Sequence, residues 1–302
     1  RMLMKKMLYS FILLLSLLPL HHVSAQCSID NKYFQAGEHL TYDLYIKFAA
    51  TIKGGYASLT TQNVKYAGKD AYKMTLISES QGFARKMFEL NDTLVCYTTK
   101  DIVPLGYTKD AHEGGDYTKE RLGYSYANGK VKTRSIRHKN GNFKFDETIE
   151  NDACTYDLMS VLFYARTLDY GKMNDITETK VRFITGKSNV HMRIIYNGKE
   201  TVKANDGNKY NCLKLTLYVA DEAFDNGKEA MKVYITDDDN RMPIKLETKL
   251  KVGSTYRISS TAKRNAQFTR RTFKVVGFVN SPTYVENTNR GGTNVGKGTL
   301  DY

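Results

Sequence analysis

The stretch Cys212-Leu213-Lys214-Leu215-Thr216-Leu217-Tyr218-Val219 alternates apolar and polar side chains without a break. A period of two places Leu213, Leu215, Leu217 and Val219 on one face and Cys212, Lys214, Thr216 and Tyr218 on the other. That is the pattern of an antiparallel strand covering a core on one side. The alternation recurs at Tyr42, Leu44, Ile46 and Phe48, at Met231, Val233 and Ile235, and at Ile244, Leu246, Leu250 and Val252. Asn128-Gly129, Asn140-Gly141 and Asn197-Gly198 fall between such runs, and Asn-Gly favours the left-handed backbone of tight hairpins. Gly54-Gly55, Gly68, Gly207 and Asp225-Asn226-Gly227 punctuate further. The spacing predicts roughly twelve to fifteen strands in an all-β fold, a large antiparallel curled sheet, barrel, half-barrel or sandwich.

One segment departs from period two. Between Tyr156 and Tyr170 there is no Gly or Pro, and Leu158, Val161, Leu162, Ala165 and Leu168 fall at helical spacing. Thr155 or Asp157 is a suitable cap for the start, and Gly171 follows the end. Met159, Phe163 and Tyr164 make the helix apolar on most sides, which predicts a mostly buried element crossing a concave sheet over 156–170. Lys73-Met74-Thr75-Leu76 and Lys214-Leu215-Thr216-Leu217 leave open a duplication of two related halves around it.

With 302 residues, 41% hydrophobic content, 22 Tyr, 4 Pro and no Trp, wholesale disorder is excluded and strands are favoured. Arg1, Lys5 and Lys6, the apolar run Met7 to Leu20 and the small residues of Val23-Ser24-Ala25 read as a signal peptide spanning 1–25, cut before Gln26. Its removal takes away three basic side chains and lowers the net charge from +13 to +10. No later segment reaches the length of a membrane-spanning helix. Residues 26–285 are expected to form a single all-β domain, and the Asn- and Gly-rich stretch 286–302 a flexible tail. Gln26 before Cys27 argues against a lipid anchor on that cysteine, because such sites need a small residue there. Cys27, Cys96, Cys154 and Cys212 allow two disulfides in three connectivities, or buried free thiols, and are too widely spaced for a metal site.

Catalytic motifs fail on inspection. Gly186-Lys187-Ser188 lacks the earlier glycine of a phosphate loop, since Val181 stands there, and precedes a strand-like run. His112-Glu113-Gly114-Gly115 lacks a second zinc-binding histidine. Asp237-Asp238-Asp239-Asn240 lacks the alternation, glycine and final glutamate of a calcium loop and reads as a hairpin turn. After the signal segment His39, His112, His138 and His191 are scattered. Asp92-Thr93-Leu94 is similar to the short acceptor for O-glycosylation in exported Bacteroidetes proteins, but reads more readily as an ordinary strand start. No catalytic residue, metal or cofactor is assigned, and an enzyme is the less favoured class.

Charge is unevenly spread. Thr248 to Val285 contains no acid but eight basic residues, and Asn128 to Phe145 contains none but six. Such clusters attract phosphates and carboxylates, or form the solvated face of a sheet.

Four segments together resemble a family of exported proteins of unknown function from Gram-negative bacteria. They are Gly37-Glu38-His39-Leu40-Thr41-Tyr42-Asp43 with Gly55-Tyr56-Ala57, then His112-Glu113-Gly114-Gly115, then Tyr156-Asp157-Leu158-Met159-Ser160 running into Tyr164-Ala165-Arg166-Thr167-Leu168, and Asp237-Asp238 through Arg241-Met242-Pro243-Ile244-Lys245 to Gly253-Ser254. The resemblance covers roughly residues 36–260 and implies an all-β architecture with an embedded helix, but no activity. A broader likeness is to curled-sheet periplasmic carriers that shelter lipoprotein acyl chains between sheet and helix.

Three functions follow as expectations. The first is a non-catalytic protein of the periplasm or envelope binding a lipid, lipopolysaccharide or acidic glycan, with an apolar pocket under the helix and no nucleic-acid partner. The second is a structural or interaction module, and the third a hydrolase of glycans or lipids. For the first, Arg166, Lys263, Arg264, Arg270 and Arg271 are the candidate headgroup contacts. Asp157 and Arg241 are expected to pair structurally, since buried charges need partners.

Overall fold

A computed structural model describes residues 27–47, 51–219, 229–252 and 271–283. Two meanders make the fold. The first comprises β1 (His39–Lys47), β2 (Thr51–Tyr66), β3 (Lys69–Ser80), β4 (Leu90–Thr98), β5 (Pro104–Glu113), β6 (Asp116–Ala127), β7 (Lys130–Lys139) and β8 (Asn142–Asn151). The second comprises β9 (Thr155–Tyr156), β10 (Glu178–Thr185), β11 (Ser188–Lys203), β12 (Lys209–Val219), β13 (Glu229–Thr236), β14 (Pro243–Val252) and β15 (Arg271–Thr283). Pairing of β1 with β15 joins them into one sheet of 15 strands, ordered β8 to β1 and then β15 to β9. Every pairing is antiparallel except β9 with β10.

This order dictates curvature. The strands β8 and β9 lie at opposite ends of the sheet, yet only residues 152–154 separate them in sequence. Three residues bridge at most about 14 Å. The sheet must therefore curl until its ends meet, leaving a seam between β8 and the β9–β10 edge. Ser135 Oγ on β7 donates across the seam to the Gly186 carbonyl at 2.6 Å, and Asn189 Nδ2 donates to Asn151 Oδ1. A Cys27–Cys154 disulfide ties the N-terminal segment to the β8–β9 corner, while Cys96 and Cys212 are free and buried.

Turn chemistry places the hairpins where expected, with two exceptions. Asn128-Gly129 and Asn140-Gly141 form two-residue turns with φ of 52° and 72°, and of 53° and 77°. Asn197-Gly198, by contrast, lies inside β11 at a register shift between Tyr196 and Lys199. Thr216 Oγ1 donates to Asn197 Oδ1 at 2.5 Å, so the extra residues form a bulge and the strand continues. Gly54-Gly55 also lies within a strand, beside the shift between Leu44 and Tyr45. A Cβ on Gly55 would stand 2.0 Å from the Glu79 carbonyl oxygen, so only glycine lets β2 approach β3 there. Asp225-Asn226-Gly227 lies outside the described residues. The short helix α1 (Gly82–Met87) at the β3–β4 turn carries no periodicity long enough to be foreseen.

The central helix α2 is Leu158–Thr167, shorter at both ends than the expected 156–170. Tyr156 instead pairs with Phe183 in the sheet, and Leu168 is extended. Asp157 is the cap: Oδ1 accepts from Met159 N at 3.0 Å and Ser160 N at 2.8 Å, and Asp157 N donates back to Ser160 Oγ at 2.9 Å. Met159 and Phe163 enter one core cluster with Phe34, Leu40, Tyr42 and Met74. Val161 and Ala165 enter a second with Phe183, Ile194, Leu213 and Leu215. The helix thus fills the space inside the curl, and each fully buried large apolar side chain contributes about 1.5–3 kcal/mol. The strand β12 is covered on both faces. Cys212 joins the first cluster and Thr216 is buried, although both were expected on a polar face.

Candidate functional site

Three of the four segments behind the family resemblance meet in space. Arg166, at the last turn of α2, is 0% exposed and points at Glu38 just before β1. Its Nη1 and Nη2 donate to Glu38 Oε1 and Oε2 at 2.7 and 2.6 Å, a bidentate pair. Arg166 Nε donates to the Arg241 carbonyl at 2.8 Å, and Nη2 also to that of Asn240 at 2.9 Å. Tyr42 OH donates to the Pro243 carbonyl at 2.9 Å, and its burial, then Glu38, push that phenol up. Phe34 and Phe163 flank the guanidinium, with centroids 4.6 and 5.3 Å from Cζ. Helix, first strand and the β13–β14 turn are locked together by one side chain.

At the seam lies a cleft of about 370 Å³. Its walls are Tyr156 and Tyr164, with ring centroids 4.7 Å apart, the Cys27–Cys154 disulfide, and Lys180, Arg182 and His191 of β10 and β11. Arg182 stands directly opposite His191 in the ladder, with Nη1 and Nε2 at 2.8 Å. Lys180 approaches Glu178 at 3.7 Å, and no carboxylate is among the residues lining the cleft. Burial pushes the Tyr156 and Tyr164 phenols up, so both stay neutral donors. The cleft is lined by cationic side chains and by two tyrosines, a combination that suits an anion attached to an apolar or ring-shaped body.

A family model described as "Protein of unknown function (DUF3108)" matches residues 41–261. The chain belongs to this DUF3108 family. The sheet is similar to that of a β-barrel-like protein of the domain of unknown function DUF1849 from Brucella abortus. The two share 8% identity at a TM-score of 0.54, over 84% of this chain and 100% of the other. A protein with a YmcC-like fold from Bacteroides fragilis aligns over 85% of this chain and 100% of its own, at 8% identity and a TM-score of 0.33. No curated protein matches the chain.

In this DUF3108 chain the headgroup role expected of Arg166 does not hold: its donors are spent on Glu38 and two carbonyls, away from any surface. Lys263, Arg264 and Arg270 lie outside the described residues, and only the backbone of Arg271 is described, at the start of β15. Asp157 and Arg241 do not pair. Asp157 is spent on the helix cap and on Tyr124 OH at 3.1 Å; burial pushes its carboxyl up and those hydrogen bonds oppose the shift. Arg241 lies over the rings of Tyr33 and Tyr170 instead.

The other motifs take structural places. Gly186-Lys187-Ser188 is the β10–β11 turn, and Asp237 to Asn240 the β13–β14 turn, where Asp238 Oδ1 accepts from Thr236 Oγ1, Asn240 N and Arg241 N. His112 and Glu113 end β5, and Thr93 is half-buried on β4, paired on both sides. Beside it Asp92 is 5% exposed; burial, then the Glu113 carboxylate, push its carboxyl up to about 8. Among the described residues no three His, Cys, Asp or Glu side chains group to hold a metal. The sequence reading missed Lys180, Arg182, Tyr156 and Tyr164. Their spacing is that of any strand face or apolar helix, and only closure of the sheet brings them to one cleft.

Proposed function

We propose that this DUF3108 protein is a non-catalytic, exported envelope protein that holds an anionic envelope molecule in the seam cleft. The ligand class is a lipid or lipopolysaccharide headgroup, or an acidic glycan. The carrying observation is the cleft itself, lined by Lys180, Arg182, His191, Tyr156 and Tyr164 with no acid among its described lining residues. The cations take the phosphate or carboxylate, and the rings take the body attached to it. The Cys27–Cys154 disulfide supports an oxidising compartment, consistent with the signal segment. It also engages the sulfur that a thioether-linked lipid on Cys27 would need. Two clusters of side chains pack around α2, so the ligand position moves from under the helix to the sheet seam.

The packed interior also favours a second reading, a structural module whose partner binds the outer surface. Native mass spectrometry of protein purified from its own periplasm separates the two. A co-purifying lipid or glycan that is lost from the Lys180→Ala/Arg182→Ala variant is the expected result. A wild-type protein that emerges empty and fails to take up vesicle lipid or acidic oligosaccharide would refute the binding reading.

A further inference from the structure

Two buried arginines sit in the same node, and the fold treats them in opposite ways. Arg166 has a bidentate carboxylate and two backbone carbonyls. Arg241 is only 9% exposed, yet among the described residues its Nε and Nη1 are buried with no hydrogen-bond partner. The nearby acids are committed elsewhere: Glu38 to Arg166, Asp238 to the turn, and Asp169 to Lys172 at 2.7 Å. Tyr33 and Tyr170 lie 4.7 and 5.0 Å from its Cζ. Ring faces attract the cation but leave its planar N–H fork without oxygen acceptors. A charge removed from water without such acceptors is costly, and chains retain one where something else supplies them.

The root of this side chain is fixed. Arg241 sits at φ 50°, its N–H held by Asp238 Oδ1 at 3.0 Å and its carbonyl by Arg166 Nε at 2.8 Å. The guanidinium is therefore pre-positioned between two rings, with donors waiting in its plane. We infer that Arg241 is the receptor for a small oxyanion, a carboxylate or phosphate group, that enters between Tyr33 and Tyr170. Arg241 is not part of the seam cleft, so this site is separate from the one proposed above. Its ligand is a single anionic group that takes the Nε–H edge of the guanidinium, the edge Asp146 takes on Arg134.

The test is thermal unfolding of the full chain in sodium phosphate, sodium acetate and sodium chloride at matched ionic strength. The expected result is a saturable rise of several degrees with phosphate or acetate over chloride. The rise persists in Arg182→Ala and disappears in Arg241→Met. Without oxyanion, Arg241→Met unfolds at or above the wild-type temperature, because the unpaired charge is gone. An unchanged wild type, or a rise that survives in Arg241→Met, overturns the inference; loss of the rise in Arg182→Ala alone moves the anion to the seam and overturns it too. Should Arg241→Met fail to fold, the Arg241 Nε–H resonance of the wild type decides. Movement on phosphate addition supports the site, and a fixed resonance overturns it. A dispersed short-chain phosphatidylglycerol that shifts the transition at lower concentration than free phosphate assigns the anion to a lipid headgroup. Equal or weaker potency assigns it to the free ion.

Discussion

Glu38→Gln should be among the most damaging conservative substitutions in this protein. The amide keeps the shape of the side chain but removes the charge facing Arg166. The guanidinium then stays at 0% exposure with only neutral acceptors, the amide oxygen and the Arg241 and Asn240 carbonyls, while the amide NH2 faces one of its donors. Breaking a buried pair in this way costs about 3–5 kcal/mol. Arg166→Met makes the mirror-image defect, a carboxylate at 5% exposure stripped of both bidentate bonds, and belongs in the same range of about 3–5 kcal/mol. The double variant Glu38→Met/Arg166→Met removes both charges of the pair. Its remaining cost is the two carbonyls that lose a donor, about 1–3 kcal/mol each at most. At the middle of these ranges the double variant should therefore lie about 4 kcal/mol closer to wild type than the sum of Glu38→Met and Arg166→Met. Urea unfolding followed by far-ultraviolet circular dichroism, run on wild type, Glu38→Met, Arg166→Met and the double variant with Glu38→Gln alongside, measures this coupling. Additive costs, or a single-variant cost below about 1 kcal/mol, would refute the claim that the pair is a desolvated, mutually dependent lock.

Three further outcomes follow from named groups. Asp92 has its carboxyl raised to about 8 from an ordinary 3.8, so stability should fall as pH rises between those values; Asp92→Asn should flatten that slope in urea titrations from pH 5 to 8.5, and equal slopes would count against it. Breaking Cys27–Cys154, which closes a loop with a sequence separation of 127, should cost up to about 5 kcal/mol; reduction that leaves the melting temperature unmoved would contradict this. Burial pushes the Cys212 thiol up to about 12 and Cys96 well above its ordinary value, so a thiol reagent should label neither in the native protein and both after denaturation without reductant.

Much of the architecture is local information. Alternation in β1, β12, β13 and β14, the Asn-Gly turns and the cap at Asp157 each depend on side chains within a few residues, and each is legible along the chain. The duplication suggested by two tetrapeptides remains a matter of sequence; they fall on β3 and β12. Asn197-Gly198 misled because a bulge and a hairpin use the same left-handed glycine, and only the partner strand determines which forms. Arg166 drew attention as a cation on an apolar helix, which cannot distinguish a ligand contact from a buried pair. The answer depended on Glu38, 128 residues away.

By itself the sequence determined an all-β chain with one buried, capped helix and no recognisable catalytic motif. Periodicity and turn chemistry are short-range effects, so they survive without the fold. Only the tertiary structure decided that the sheet curls until β8 meets β9 and that Cys27 pairs with Cys154. It alone left Arg241 Nε and Nη1 without a partner among the described residues, and brought Lys180, Arg182, His191 and two tyrosines to one cleft. Those relations are set by closure over more than a hundred residues, where pairing register and the desolvation of charge decide the outcome and local pattern carries no signal.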